Sequence, residues 1–330
     1  MAKVLITGGA GFIGLHLARR LVDEGCTVLL VDNFARAVRD ADLQQVLEHP
    51  AVQFVDVDCL DAEAVATLPT DCEYIVHLAA IIGVTHVMQR PYRVVVDNLR
   101  LLDHLIVHAG RQAALQRLLF ASTSEVTAGT LENFGLEVPT PETVPLSLTE
   151  LHRPRTSYML SKMSGEALCH YSGLPFTIFR PHNVYGPRMG SVHVIPEQLR
   201  KAHEADDGAT IDVPSADQTR SFCYVDDATE MLFRMMTSAD CEGATLNLGT
   251  ESPQVRIRDV VRRCWETVGR NITMREVAPT PGSPARRAPG MSRTRQLIGY
   301  DSRVSLEEGV SLTYDWYRSN VFASGGPAAC

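Results

Sequence analysis

Residues 3–32 read KVLITGGAGFIGLHLARRLVDEGCTVLLVD, and this stretch decides the fold class. Lys3–Thr7 is a continuous apolar run that stops at a glycine turn, the pattern of a strand buried on both faces. From Phe12 to Glu24 the apolar residues Phe12, Leu15, Leu17, Leu21 and Val22 recur at helical spacing until Gly25 ends the helix. Thr27–Val31 is the next strand, closed by Asp32. Between the first strand and the helix lie Gly8, Gly11 and Gly14. Gly8 permits the tight turn, Gly11 lets the backbone approach a pyrophosphate, and Gly14 lets helix and strand pack closely. The helix N-terminus, with Phe12 and Ile13 in its first turn, offers free N–H groups and a dipole that favour an anion. Asp32 follows as acceptor for the adenosine ribose hydroxyls, and its charge repels a 2′-phosphate. Strand, glycine triplet, helix, strand and acid in this order predict an NAD site rather than an NADP site. Asp58, after the third strand, is a candidate acceptor for the adenine amino group.

Outward from this unit, Val52–Val57, Tyr74–Leu78 and Leu118–Ser122 read as further strands, with helices over Val94–Ala109 and Ser157–His170. Strands alternating with helices predict an α/β protein with a Rossmann-type, doubly wound parallel sheet. Residues 1–180 are expected to hold mainly the dinucleotide-binding domain. Pro181, Gly186, Pro187, Gly190 and Pro196 then interrupt the pattern, and a second Pro/Arg-rich loop covers Pro279–Gly290. Residues 181–322 therefore read as a smaller substrate-binding lobe whose strands return to the sheet, and 323–330 as a disordered tail.

Composition narrows the partners. A chain of 330 residues with 45% hydrophobic and 21% charged residues matches an ordinary globular protein with a sizeable core. A net charge of −8 argues against a nucleic-acid partner. No apolar run is long enough for a membrane helix, and the eight cysteines form no CxxC pair, which predicts a cytoplasmic protein without a zinc site. His86, His104 and His108 have no metal-ligand spacing.

Tyr158 and Lys162 stand four apart, on one face of a predicted helix. A free tyrosine is a poor base at neutral pH, since its pKa is about 10. An ammonium beside it, together with the positive nicotinamide ring, favours the phenolate, so Tyr158 can take a proton from a substrate hydroxyl. Lys162 is also placed to hold the nicotinamide ribose. Ser122-Thr123-Ser124-Glu125-Val126 ends the fifth strand, where ligands bind in open α/β sheets.

With these motifs in order, the sequence resembles the extended short-chain dehydrogenase/reductase family, specifically its NAD-dependent nucleotide-sugar epimerases, dehydratases and decarboxylases. The resemblance rests on TGGAGFIG, Asp32-Asn33, His77-Leu78-Ala79-Ala80, Asn98, Tyr158 with Lys162, and two later stretches, over nearly the whole chain. It implies that Asn33, Leu78, Ala79 and Ala80 line the cofactor and that Asn98 is structural in the adjoining helix. It implies that Thr123 bonds the reacting sugar oxygen. LFASTSEV (119–126) is similar to the UDP-glucuronate decarboxylases, whereas the dehydratases carry Asp-Glu where Ser124-Glu125 stands here. After Val126 the family usually has Tyr-Gly, and this chain has Thr127-Ala128-Gly129, which alters the pocket wall. RPHNVYGPR (180–188) and QTRSFCYVDD (218–227) resemble the family's substrate loops. They imply that Asn183 reaches the substrate diphosphate and Arg220 the nucleotide phosphate or ribose, with Arg287 a third cation near the diphosphate. His182 reads as a satisfied structural histidine. Family members usually dimerise through two helices, which implies a homodimer through Val94–Ala109 and Ser157–His170.

The resemblance implies oxidation of a sugar 4-hydroxyl by NAD, a transient 4-ketone, and hydride return. Decarboxylation of UDP-glucuronate fits Thr123-Ser124-Glu125. A 4-epimerase of a UDP-hexose or UDP-hexuronate uses the same residues, and a 4,6- or 5,6-dehydratase using Glu125 without the Asp is a third outcome. A non-enzymatic NAD sensor has no need of Tyr158, Lys162 and Thr123.

Overall fold

Apolar runs of four to six residues build the centre of the protein. The computed structural model of the chain describes residues 1–279 and 283–323, so residues 324–330 of the expected tail lie outside the described residues. β1 (Lys3–Thr7), β2 (Thr27–Asp32), β3 (Val52–Asp56), β4 (Tyr74–His77), β5 (Arg117–Ala121), β6 (Phe176–Pro181) and β7 (Thr245–Leu248) form one sheet. Its seven strands run in the order β7-β6-β5-β4-β1-β2-β3, and every pairing is parallel. The order reverses between β1 and β4, which opens a crevice at the carboxyl ends of these strands.

Alternation along each strand divides the core into two layers. Val4 and Ile6 face a cluster with Leu15, Leu21, Met231 and Met235, while Leu5, Leu29 and Ile75 face Leu101, Leu102 and Leu105. The first layer is covered by α1 (Phe12–Asp23) and the second by α3 (Pro91–Ala109), α2 (Ala41–Leu47) lying between β2 and β3 in sequence. α4 (Thr156–Tyr171) packs beside α3, and α5 (Val225–Thr237) packs beside α1. α3 starts a turn before Val94, the expected start, because Pro91 occupies its first turn, where a missing N–H costs nothing.

Beyond β6 the chain forms short pairings. Thr219–Arg220 is flanked by Val255–Arg256, antiparallel, and by Arg286–Arg287, parallel. The last helix, α6 (Leu306–Tyr317), returns to the start of the fold. There Trp316 Nε1 donates to Asp42 Oδ2 at 2.6 Å, and the Tyr317 hydroxyl donates to the Met189 carbonyl. Among the described residues no helix is long and apolar enough to cross a membrane, and no cluster of three His, Cys, Asp or Glu is placed to hold a metal.

Candidate active site

The glycine turn folds back over the end of β2, with Gly8 N and Gly9 N both donating to the Val31 carbonyl at 2.9 and 3.3 Å. Gly8 has φ +70°, and a Cβ there would stand 2.8 Å from Ala79 N. A Cβ on Gly14 would stand 2.5 Å from the Gly8 carbonyl oxygen. Only glycine gives this turn and this approach of helix to strand. Gly11 N donates to Gly8 O at 3.1 Å, and Phe12 and Ile13 begin α1, whose first-turn N–H groups have no intrahelical acceptor. Asp32 accepts from Ala10 N at 3.2 Å and Phe34 N at 2.9 Å. Burial raises its carboxyl above the usual range, and those two N–H groups oppose the shift.

Leu78 N bonds Thr7 O at 3.1 Å and Ala79 N bonds Thr7 Oγ1 at 3.4 Å, which carries Leu78, Ala79 and Ala80 past the turn. Asn98 pins the segment that follows, accepting from Ile81 N at 2.7 Å and donating to Ile81 O and Ser161 Oγ, both at 3.1 Å. Asn33 and Asp58 are exposed beyond β2 and β3, each capping its own turn through Ala35 N and Leu60 N. A side-chain-free turn, a helix N-terminus and a half-buried carboxylate fit the pyrophosphate and ribose of a dinucleotide.

At the carboxyl end of β5 the chain turns into a 3₁₀ helix, Ser124–Thr127, rather than extending the strand to Ser122. Thr123 caps it, Oγ1 accepting from Glu125 N at 3.2 Å, and its side chain favours the Tyr158 phenolate. Ser124 is buried and Glu125 exposed. The Tyr158 phenol is pushed well above the usual tyrosine range, first by burial and then by the Glu125 charge, with Thr123 and Arg36 opposing.

Lys162 is only 4% exposed. Its ammonium donates to Ala121 O at 2.7 Å and lies 4.9 Å from the Phe120 ring centroid and 5.9 Å from that of Tyr158. Burial pushes it down to about 8. This departs from the expectation that Lys162 lowers Tyr158. In the protein alone the lysine points at a carbonyl, and desolvation governs both groups.

On the substrate side Asn183 has φ +43° and its amide donates to Ser221 O at 2.9 Å. In the protein alone the Arg220 side chain is held by its neighbours. Its guanidinium is occupied by Thr219 O, Gln218 Oε1, Ser283 Oγ and Pro284 O at 2.7 to 2.9 Å. Arg287 is not a loop residue but pairs in register with Arg220, and it feels the opposing charges of Glu125 and Arg155. His182 is satisfied on one side only: its Nε2 faces Asn247 Oδ1 at 3.1 Å, while the buried Nδ1 has no partner.

Two residues outside these motifs act on the site electrostatically: Arg36 on Tyr158 and on His193, and Arg155 on Arg287. Beneath it Glu166 accepts from Ser122 Oγ at 2.5 Å and from Arg180 Nε and Nη2 at 2.9 and 2.7 Å. None carries a spacing signal, because partners lie far apart in sequence or on a loop of no regular period.

Residues 4–249 match the NAD dependent epimerase/dehydratase family. The chain is 30% identical to a UDP-N-acetyl-alpha-D-glucosaminuronate decarboxylase of Bacillus cytotoxicus, over 96% of this chain and 98% of that protein. It is 28% identical to a UDP-glucuronic acid decarboxylase of Arabidopsis thaliana, over 96% of this chain and 89% of the relative. A UDP-glucuronic acid 4-epimerase from Bacillus cereus, solved with UDP-glucuronic acid and NAD, superposes with a TM-score of 0.81 at 26% identity, over 96% of this chain and 99% of that one. The chain belongs to the NAD-dependent epimerase/dehydratase family, and NAD is its cofactor.

Proposed function

We propose that the protein decarboxylates a UDP-hexuronate, UDP-glucuronate first among candidates, through a transient 4-keto sugar. The observation that carries this reading is the grouping of Thr123, Glu125, Tyr158 and Arg287, in which the Glu125 carboxylate past the end of β5 acts on both the Tyr158 phenol and the Arg287 guanidinium. Bound NAD supplies the hydride acceptor, and later the donor, at sugar C4, with a positive ring that favours the Tyr158 phenolate. Tyr158 takes the 4-hydroxyl proton while Thr123 orients that oxygen. The 4-ketone stands β to the sugar carboxylate, so the C5–C6 electron pair can move toward the ketone oxygen as carbon dioxide leaves. A proton then adds at C5. Tyr158 returns its proton to the C4 oxygen at the end of the cycle. Arg287, which feels the Glu125 charge, is suited to an anionic substrate group.

Incubation of the purified protein with UDP-glucuronate and NAD, read by mass spectrometry and NMR, tests the reading. A UDP-pentose with loss of carbon dioxide supports it. A 4-epimer of unchanged mass favours the second reading, 4-epimerisation, which draws on the likeness to a UDP-glucuronic acid 4-epimerase. Loss of water would indicate dehydration, although Ser124 stands where that chemistry uses an Asp. No turnover on any sugar, with NAD still bound, would make the protein an NAD sensor. We also propose a homodimer through α3 and α4, on family habit, and a cytoplasmic location, supported by seven free buried thiols among the described residues.

A further inference from the structure

We infer that Arg188 is a positioning residue for the cofactor, reaching from the substrate-side loop to lock the glycine turn and the loop after β2 into their dinucleotide-binding arrangement. Arg188 is 1% exposed and has φ +66°, a left-handed conformation that a non-glycine residue keeps only where its surroundings impose it. Its guanidinium donates from Nη1 to Ala10 O at 2.6 Å and Gly11 O at 3.4 Å, from Nη2 to Val38 O at 2.8 Å, and from Nε to Asp40 Oδ2 at 2.6 Å. Ala10 and Gly11 are the middle of the glycine turn, directly before α1. Val38 and Asp40 end the loop that Asp32 begins.

That loop is pinned at both ends. At its start Asp32 holds Ala10 N and Phe34 N. At its end Asp40 takes the Arg188 proton on one oxygen and caps α2 through Leu43 N at 2.9 Å on the other. The loop between therefore has a fixed span across the adenosine side of the crevice. Arg188 supplies a second service by charge. Ala10 O and Gly11 O point at a cation, so the carbonyl dipoles next to the pyrophosphate position are covered, while the first-turn N–H groups of α1 stay free for the anion. The neighbouring residue is tied as well, since Pro187 O meets His16 Nε2 at 3.1 Å. Asn183 lies five residues before Arg188 on the same segment, so the strand that leads to the substrate also braces the cofactor turn.

The inference rests on NAD as cofactor and is independent of which sugar reacts. The test is NAD affinity by calorimetry on nucleotide-stripped protein, with thermal melting in parallel, for Arg188→Met, Arg188→Lys and Arg117→Met. Arg117 is the matched control. It is 5% exposed and bonds Thr177 Oγ1 and Ser238 O, but at the amino end of β5, the opposite edge of the sheet from the turn. Loss of several charge-assisted bonds predicts NAD binding weaker by about 30-fold or more in Arg188→Met. Arg188→Lys, which keeps the charge without the fork, should recover part of it. Arg117→Met should melt lower yet bind NAD within about threefold of the parent. NAD binding by Arg188→Met within threefold, or an equal loss in Arg117→Met, overturns the inference. Should Arg188→Met fail to fold, Asp40→Asn decides instead. A drop of about tenfold in NAD affinity supports the role, and an unchanged affinity rejects it.

Discussion

Glu166→Gln removes one charge from a buried pair and leaves the other stranded. Arg180 and Glu166 have side chains only 5% and 8% exposed, and their two hydrogen bonds of 2.9 and 2.7 Å are joined by the Ser122 hydroxyl at 2.5 Å. Apart from Glu166, Arg180 bonds only the Glu142 carbonyl among the described residues, at 3.1 Å. An uncompensated buried charge costs about 3–5 kcal/mol, and a glutamine that still accepts one bond puts the loss at the lower end, about 3 kcal/mol. For 330 residues the unfolding entropy is about 0.7 kcal/mol/K, so the melting temperature should fall by about 4 °C. Because the cost lies in the stranded charge, the double variant Glu166→Gln with Arg180→Met should melt above the sum of the single losses. Scanning calorimetry of the four proteins reads this cycle. Turnover reports the second consequence, since Ser122 precedes Thr123 and loses a charged anchor. A melting point within about 1 °C of the parent, or strict additivity in the double variant, would refute the reasoning.

Tyr158→Phe should lower turnover by about 100- to 10,000-fold while NAD affinity, measured by calorimetry, stays near the parent's. Gly8→Ala forces a Cβ to 2.8 Å from Ala79 N at a positive φ, and should cost about 1–3 kcal/mol in chemical denaturation together with NAD binding. Lys162 has its pKa lowered to about 8 from 10.5, so above pH 8 the folded protein sheds a proton that the unfolded chain retains. Stability of the NAD-free protein should therefore rise relative to Lys162→Met between pH 8 and 10.5, by at most about 1.4 kcal/mol per pH unit. Parallel pH profiles of the two proteins would contradict this.

The glycine turn and the first five strands were readable because local pattern fixes them: each strand is an apolar run and each turn a glycine or a cap. Their ends moved by one residue or so, as at β5, where Ser122 leaves the ladder to bond Glu166. Bounds for β6 and β7 were not legible in the sequence, although strands returning to the sheet are expected from residues 181–322. β7 is only four residues, Thr245–Leu248, and its identity comes from pairing with β6, far back in the chain. In the site, Tyr158 and Lys162 stood out by helical spacing, but their protonation did not, because burial rather than their mutual charge sets it. Arg188 closes the RPHNVYGPR stretch, but nothing in that stretch pointed to the glycine turn. Its acceptors Ala10 and Val38 lie 178 and 150 residues away.

The contact between Trp316 and Asp42 bears on how the protein is made. A ribosome delivers the first βαβ unit early, and α2 already packs Leu43 and Val46 into the core and pairs Asp42 with Arg19, yet the tie to Trp316 forms only after α6 has emerged. Until then α2 rests on its apolar face and its arginine pairs. The Trp316–Asp42 bond is thus a clasp added last, joining α6 to the first βαβ unit across 274 residues after all seven strands of the sheet have been made.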